Sequence, residues 1–200
     1  MVRRRRMVRT YDPERPVPPE IVDKIIKHAL RAPSAGFSQG WGFLVLTSQP
    51  DRDLFWSSAT EDDLAGAAEP GSWLERMRSA PLIIVALSNK SVYLDRYAQD
   101  GKGWIDRDES HWPVPYWDID TGFASLLMHL TAVNEGLGSC FIGLPVQTIQ
   151  AFKTAFGVPE EYAPIGALTV GYRAPDKRSP SLRRGHRPVD DVVHHGRWAG

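Results

Sequence analysis

Cysteine is nearly absent: Cys140 is the only one in 200 residues. No disulfide can form within the chain, which fits a reducing cytoplasm. Long apolar runs are missing as well. None approaches the roughly 20 residues that a membrane-spanning helix needs, so no membrane is expected as a partner. The basic N-terminus, "MVRRRRMVR", is not followed by an apolar segment, so a secretory signal is not expected either. Net charge is absent: 24 Lys and Arg balance 24 Asp and Glu. A neutral chain has no global pull toward nucleic acid. The six histidines lack zinc-site spacing, and the adjacent His194 and His195 would point different ways on a regular element. No metal is expected. No Gly-x-Gly-x-x-Gly fingerprint, internal repeat, low-complexity tract, catalytic triad or carboxylate pair stands out.

What is present is the pattern of a medium-sized domain with a substantial core, taken as one unit over residues 1–200. "PVPPEIVDKIIKHALRAP" reads as a helix led in by prolines, with Ile21, Ile25 and Ala29 in one row and Val22, Ile26 and Leu30 beside it. Pro33 ends it. Phe43–Thr47 and Leu82–Leu87 are continuous apolar runs, the mark of strands covered on both faces. A long, well-buried helix is expected from Asp120, as N-cap, to Glu135, with Phe123, Leu126, Leu127, Leu130 and Val133 at helical spacing. Gly136 or Gly138 stops it before a short strand, Cys140–Ile142. A helix over Val146–Phe156 ending at Gly157 and a last strand, Ile165–Tyr172, follow. Mixed helices and strands predict an α+β fold with helices on both sides of a sheet. Asp51–Gly71 and Asn89–Trp117 fit no packed element. Loops of that length are commonly functional, and the second is dense in aromatic residues.

Three stretches carry the chemistry. Arg3, Arg4, Arg5, Arg6 and Arg9 fall within nine residues with no acid among them. Such a run is either a solvated basic tail or a phosphate site in which Arg5 and Arg9 converge, since guanidinium forks make bidentate bonds to phosphate. A second basic cluster, Arg183, Arg184 and Arg187, lies near the other end. The loop "APSAGFSQGW", Ala32 to Trp41, is either a plain helix-to-strand connection or the wall of a slot for a planar polar ring. Ser34 and Gln39 offer hydrogen-bonding side chains, and Gly36 and Gly40 permit unusual backbone angles. Glu135, Asp190 and Asp191 read as helix-terminal and surface carboxylates. Cys140 reads as a small buried apolar residue with no nearby histidine to activate it.

The order of "RRMVRTYDPERPVPPEIVDKIIKHALRAPSAGFSQGWGFLVL", "APLIIVAL", "DIDTGFASLLMHLTAVNEGLGSCFIG", "GVPEEYAPIGALTVGY" and "RRGHRPVDDVVHHGRW" resembles the FMN-dependent nitroreductase family over nearly the whole chain. The first block and "GLGSC" are the specific parts. The resemblance implies a central, mainly antiparallel sheet with helices on both faces. It also implies an intertwined homodimer with FMN at the interface, touched by both chains. Carried over by residue, it puts Arg5, Arg6, Met7 and Arg9 at the FMN phosphate and ribityl chain. Met7 stands where many relatives have serine. Pro33, Ser34 and Gln39 match positions along the flavin ring, with Phe37 where many members have asparagine. The backbone of Phe141, Ile142 and Gly143 matches the segment lining the flavin. Arg187 matches the late basic residue at the phosphate, with Arg183 and Arg184 as alternatives.

The activity implied is ping-pong hydride transfer from NADH or NADPH to FMN and on to an electron-poor small-molecule acceptor, such as a nitroaromatic compound or a quinone. The cofactor would carry the hard chemistry. A flavin-binding protein without turnover is the rival reading. The loop also resembles that of dimethylbenzimidazole synthase, but that branch has an aspartate and a serine where this chain has Met7 and Gly143, so its activity is not expected. The aromatic stretch Trp104–Trp117 matches the variable piece that overhangs the flavin. As a substrate lid, it would present Trp112, Tyr116 and Trp117 to the acceptor, with His111 close by.

Overall fold

In the computed structural model, the described residues are 2–60, 72–175 and 179–198. Proline sets the first helix, α1 (Pro19–Ala29): Pro18 precedes it and Pro19 opens it, where a missing N–H is no loss. Val22, Ile25 and Ala29 are its buried face. The strands are β1 (Trp41–Leu46), β2 (Leu82–Asn89), β3 (Gly138–Ile142) and β4 (Tyr162–Gly171). They form one antiparallel sheet in the order β1-β2-β4-β3. The other helices are α2 (Gln49–Ser58), α3 (Trp73–Arg78), α4 (Lys90–Ala98), α5 (Tyr116–Asn134) and α6 (Ile149–Phe156).

The continuous apolar run of β2 now has its reason. All eight of its residues are buried, and the period of two sends its large apolar side chains alternately into two cores. Leu82 and Ile84 join Ile25 and Ala29 of α1 and Ala124, Met128 and Ala132 of α5. Ile83, Val85 and Leu87 join Phe55 and Trp56 of α2, Met77 of α3, and Phe152 of α6, with Cys140 among them. β4 divides the same way: Leu168 and Val170 face one core and Ala167 the other. A register shift between Ala86 and Leu87 of β2 places a bulge in β4 beside Gly166. There the φ is +155°, and an added Cβ would lie 2.4 Å from the Phe141 ring.

Four expectations need correction. Asn89–Trp117 is not one loop. Asn89 accepts from the Val92 N–H as an N-cap, and α4 follows. Its mixed polar and aromatic residues hide the helical period. Second, α5 begins at Tyr116, four residues before Asp120, because the Pro115 carbonyl already accepts from the N–H groups of Asp118 and Ile119. Asp120 is buried inside the helix rather than capping it. Third, α5 is not buried all round. Ile119, Phe123 and Leu126 are 36, 46 and 50 % exposed and line up at i, i+4 and i+7, on a face that no described element covers. Fourth, Asp51–Gly71 begins within α2, capped by Ser48, which accepts from Asp51 N–H at 3.2 Å. The rest of that stretch, residues 61–71, lies outside the described residues. Smaller adjustments are a single 3₁₀ turn, Val146–Thr148, ahead of α6 and a left-handed Gly157 after it.

The basic N-terminus is tied down. Val8 N–H donates to the Ser139 carbonyl at 3.0 Å, and Asp12 N–H to the Tyr172 carbonyl at 2.9 Å. The Tyr11 hydroxyl, fully buried, donates to the Val8 carbonyl at 2.6 Å. From the other end, Ala174 N–H donates to the Thr10 carbonyl at 3.2 Å. The two chain termini therefore run side by side at the edge of the sheet. Among the described residues, no helix is long and apolar enough to cross a membrane.

Candidate functional site

The anchoring of residues 7–12 holds the arginines beside the returning tail. Between them lies a cavity of about 550 Å³, walled by Arg5, Arg6, Met7, Arg9, Arg173 and His186. Arg173 lies two residues past the end of β4 and escaped the sequence reading. Its signal was a lone cation next to the apolar strand "IGALTVGY". Arg187 is not in this wall. It is exposed and donates to the Asp191 carbonyl at 3.2 Å, folded back on its own turn.

Arg5 is held from behind. His129, buried on α5, has its Nε2 3.4 Å from Arg5 Nη1 and its Nδ1 against Ser139 Oγ. Burial, and then the Arg5 charge, push the imidazole down to about 4, so it is neutral at pH 7. A guanidinium can only donate. Nε2 must therefore be the acceptor, and Nδ1–H donates to Ser139. Nothing in the sequence links residues 5, 129 and 139; the contact is made by tertiary structure alone.

Arg5 and Met7 also wall a second, mainly apolar space of about 410 Å³, completed by Gly122, Leu126, Phe141 and Ile165. Gly122, Leu126 and His129 share one face of α5 at i, i+4 and i+7. Phe141 and Ile142 are half-buried at the end of β3, and Gly143 is exposed just past it, with nothing within 4 Å of where a Cβ would be.

The loop of residues 32–41 hangs from the other end of α5. Ala35 N–H donates to Asp120 Oδ2 at 2.8 Å, and the buried Tyr93 hydroxyl donates to the same oxygen at 2.9 Å. Burial, and then this carboxylate, raise the tyrosine pKa far above its ordinary value. Ser34 Oγ accepts from Gln39 N–H at 3.0 Å. Phe37 and Gln39 have φ of +56° and +55°, a conformation that strains a non-glycine residue by about 1–3 kcal/mol. Pro33, Phe37 and Gln39 are exposed and Ser34 is half-buried. None of Pro33, Ser34 and Gln39 walls either cavity described above.

The aromatic stretch closes on itself. Trp112 lies 4.5 Å from Tyr97, 5.2 Å from Trp104, 5.6 Å from Tyr116 and 5.9 Å from Tyr93, between ring centres. Trp117 stands edge-on to Tyr93 at 6.3 Å, and His111 stacks on Trp104 at 5.0 Å. His111 also pairs with Asp106 at 3.0 Å. Tyr116 and Trp117 belong to the first turn of α5. Through Tyr93 and Tyr97 of α4 the cluster abuts the loop: a Cβ on Gly36 would meet Tyr97 at 2.6 Å.

The nitroreductase family model matches residues 2–172. The chain belongs to the nitroreductase family. An Archaeoglobus fulgidus protein provisionally named an NADH dehydrogenase/NAD(P)H nitroreductase is 26% identical over 200 residues, spanning 99% of this chain and 97% of that protein. Among solved structures, the fold is similar to an FMN-dependent nitroreductase from Clostridium difficile R20291, with a TM-score of 0.69, 22% identity, and 99% and 100% of the two chains covered. It is likewise similar to a nitroreductase family protein from Streptococcus pneumoniae TIGR4, with a TM-score of 0.72, 19% identity, and 96% of each chain covered. Membership of the nitroreductase family places the chain among oxidoreductases.

Within this nitroreductase-family chain, Arg5, Arg6, Met7 and Arg9 come together in one wall, and Phe141 joins Arg5 and Met7 in the next. Pro33, Ser34 and Gln39 form a separate group at the far end of α5. Trp112, Tyr116 and Trp117 form a third.

Proposed function

We propose that this chain is an FMN-dependent NAD(P)H oxidoreductase that reduces electron-poor small molecules, working as a homodimer from a single flavin-binding domain. One observation carries the reading: a basic cavity opens beside an apolar one, and Arg5 and Met7 belong to both walls. A molecule with an anionic end and a flat, mostly apolar ring system matches that pair of spaces, and FMN is such a molecule. The donor set fits its phosphate, because Arg5 and Arg6 have no carboxylate partner among the described residues. The clustered guanidinium groups fit an anion far better than they fit one another.

The residues then have distinct tasks. Arg5, Arg6 and Arg9 bind the phosphate, and His129 aims Arg5. Phe141, Ile142 and Gly143 line the ring with backbone. FMN, when bound, supplies hydride acceptance from NADH or NADPH and its delivery to an acceptor. Trp112, Tyr116 and Trp117 offer flat surfaces to planar acceptors and exclude water. Arg187 is the late phosphate contact that the family likeness offers, but its exposed guanidinium is turned to the Asp191 carbonyl, and it has no phosphate task in this reading. Neither Met7 nor Gly143 can exchange a proton, so no benzimidazole product is expected.

The separation of the loop from the cavities supports the dimer. Asp120, which holds the Pro33–Gln39 loop, is nine positions from His129 on α5, about 13 Å along a helix axis. A second copy packed on the exposed Ile119–Phe123–Leu126 stripe would cover that stripe and bring its own loop toward the first chain's cavities.

The test is direct. The purified protein should be yellow, dimeric by light scattering, and should oxidise NAD(P)H in the presence of a quinone or nitroarene. A yellow protein without turnover would transfer the reading to a flavin-binding protein. A colourless one that takes up no added FMN would end it.

A further inference from the structure

Two basic cavities flank the N-terminal segment, and one FMN has one phosphate. The second is a groove of about 690 Å³ walled by Arg3, Arg4, Arg5, Arg6, Arg15 and Arg173, with Tyr172 and Val133 at its floor. Arg5, Arg6 and Arg173 are shared with the first cavity, so the two spaces have that short segment as a common wall. Arg3, Arg4 and Arg15 face only the groove. They are also the arginines for which the FMN reading has no task.

The groove is built, not merely basic. The Arg15 guanidinium sits 3.4 Å from the centre of the Tyr172 ring, a stacking that fixes its plane and leaves its N–H edge free to bind. Arg173 Nη2 donates to the Leu137 carbonyl at 3.4 Å, which anchors a second guanidinium at the rim. Burial, and then the charges of Arg6 and Arg4, hold the Arg173 guanidinium below its ordinary pKa, a sign of positive charge packed against positive charge. Among the described residues, no carboxylate forms an ion pair with any of the six arginines in this wall. The chain as a whole is neutral, so this concentration is local.

Resting on the reading of the first cavity as the FMN phosphate site, we propose that the Arg3–Arg4–Arg15 groove binds the 2′-phosphate of NADPH and makes NADPH, rather than NADH, the preferred hydride donor. The hydride donor is the second phosphorylated molecule that such an enzyme must hold. NADPH and NADH differ only in that one dianionic group. A dianion is what several convergent, unneutralised guanidinium groups select.

The test uses the FMN-loaded protein and two soluble probes, adenosine 2′,5′-bisphosphate and adenosine 5′-monophosphate, which differ by the 2′-phosphate. Titration should show the bisphosphate binding at least about tenfold more tightly. The Arg3→Ala, Arg4→Ala double variant, both changes lying on an exposed 3₁₀ turn, should lose most of that difference. Arg15→Ala should lose part of it. Flavin content should be unchanged in all three proteins. In turnover, the double variant should raise the KM for NADPH about tenfold and leave the kinetics with NADH as they were. Equal affinity for the two probes in the unaltered protein would overturn the proposal. So would a preference that survives both variants, or tight, salt-sensitive binding of duplex DNA with no selectivity between the probes. Loss of flavin from every preparation would instead count against the FMN assignment, and the nucleotide titration reads the groove independently of it.

Discussion

The two ends of α5 hold opposite kinds of chemistry. Around Asp120, donors and acceptors are matched. One buried carboxylate oxygen takes both the Tyr93 hydroxyl and the Ala35 N–H, and the aromatic rings of residues 93–117 pack on one another. Around His129, donors outnumber acceptors. Arginines from both chain ends crowd two adjoining cavities, and what backs Arg5 there is a neutral histidine rather than a carboxylate. A region whose polar groups are already satisfied positions the backbone. A region with surplus donors is completed by a ligand.

That contrast can be broken in measurable steps. The largest effect is expected at the donor-rich end. The Arg5→Ala, Arg9→Ala double variant should lose about 1.5–3 kcal/mol of FMN binding for each arginine, enough to strip the flavin on dialysis, while its melting temperature without FMN changes little. Undiminished flavin occupancy would sink the phosphate assignment. At the matched end, Asp120→Ala strands the buried Tyr93 hydroxyl and the part-buried Ala35 N–H and should remove about 2–6 kcal/mol of stability, taking each at the usual cost of a lost partner. Urea denaturation reads this, and a loss below about 1 kcal/mol would mean that the loop is held by other contacts.

Trp112→Ala comes next. Because Trp112 is the hub of its ring cluster but only half-buried, a cost of about 2 kcal/mol is expected, under the range for fully buried tryptophan. The apparent affinity for aromatic acceptors should change as well. Loss of stability with unaltered acceptor kinetics would make the cluster purely structural.

The fourth prediction is a pH dependence. The folded-state pKa of His129 lies below its unfolded value, at about 4 against 6.5. The unfolded chain therefore binds the extra proton first. Stability should fall as pH drops from about 6.5 toward 4, and His129→Gln should flatten that part of the profile. An unchanged slope in the variant would remove His129 from the account. The smallest effect is expected at Arg187. Its guanidinium is exposed and turned to the Asp191 carbonyl, so Arg187→Ala should shift FMN affinity by less than about 0.5 kcal/mol, and Arg173→Ala by more. The reverse order would restore Arg187 to the phosphate.

What the sequence made legible was whatever depends on local pattern. The apolar runs of β1 and β2 pointed to a sheet covered on both faces, and α1 and the body of α5 followed from periodicity. The start of α5 was misplaced because Asp120 has the chemistry of a cap and in fact serves as an internal acceptor for a loop 85 residues away. α4 was hidden because its one buried position is a tyrosine, Tyr93, set among charged and polar residues. For the site, the arginine motif and the segment after "GLGSC" were readable from family likeness. Arg173, the His129–Ser139 support and Asp120 were not, since each acts through a contact between distant parts of the chain that no spacing encodes.

Arg5 belongs to the walls of all three cavities. A charge shared in this way is a thermodynamic connection. An anion that neutralises Arg5 from one side weakens the pull on an anion at the other, and reciprocity makes the penalty equal in both directions. Phosphorylated molecules on the two sides of this residue would therefore loosen each other's hold, and a spent nucleotide would leave a flavin-loaded protein more readily than an empty one.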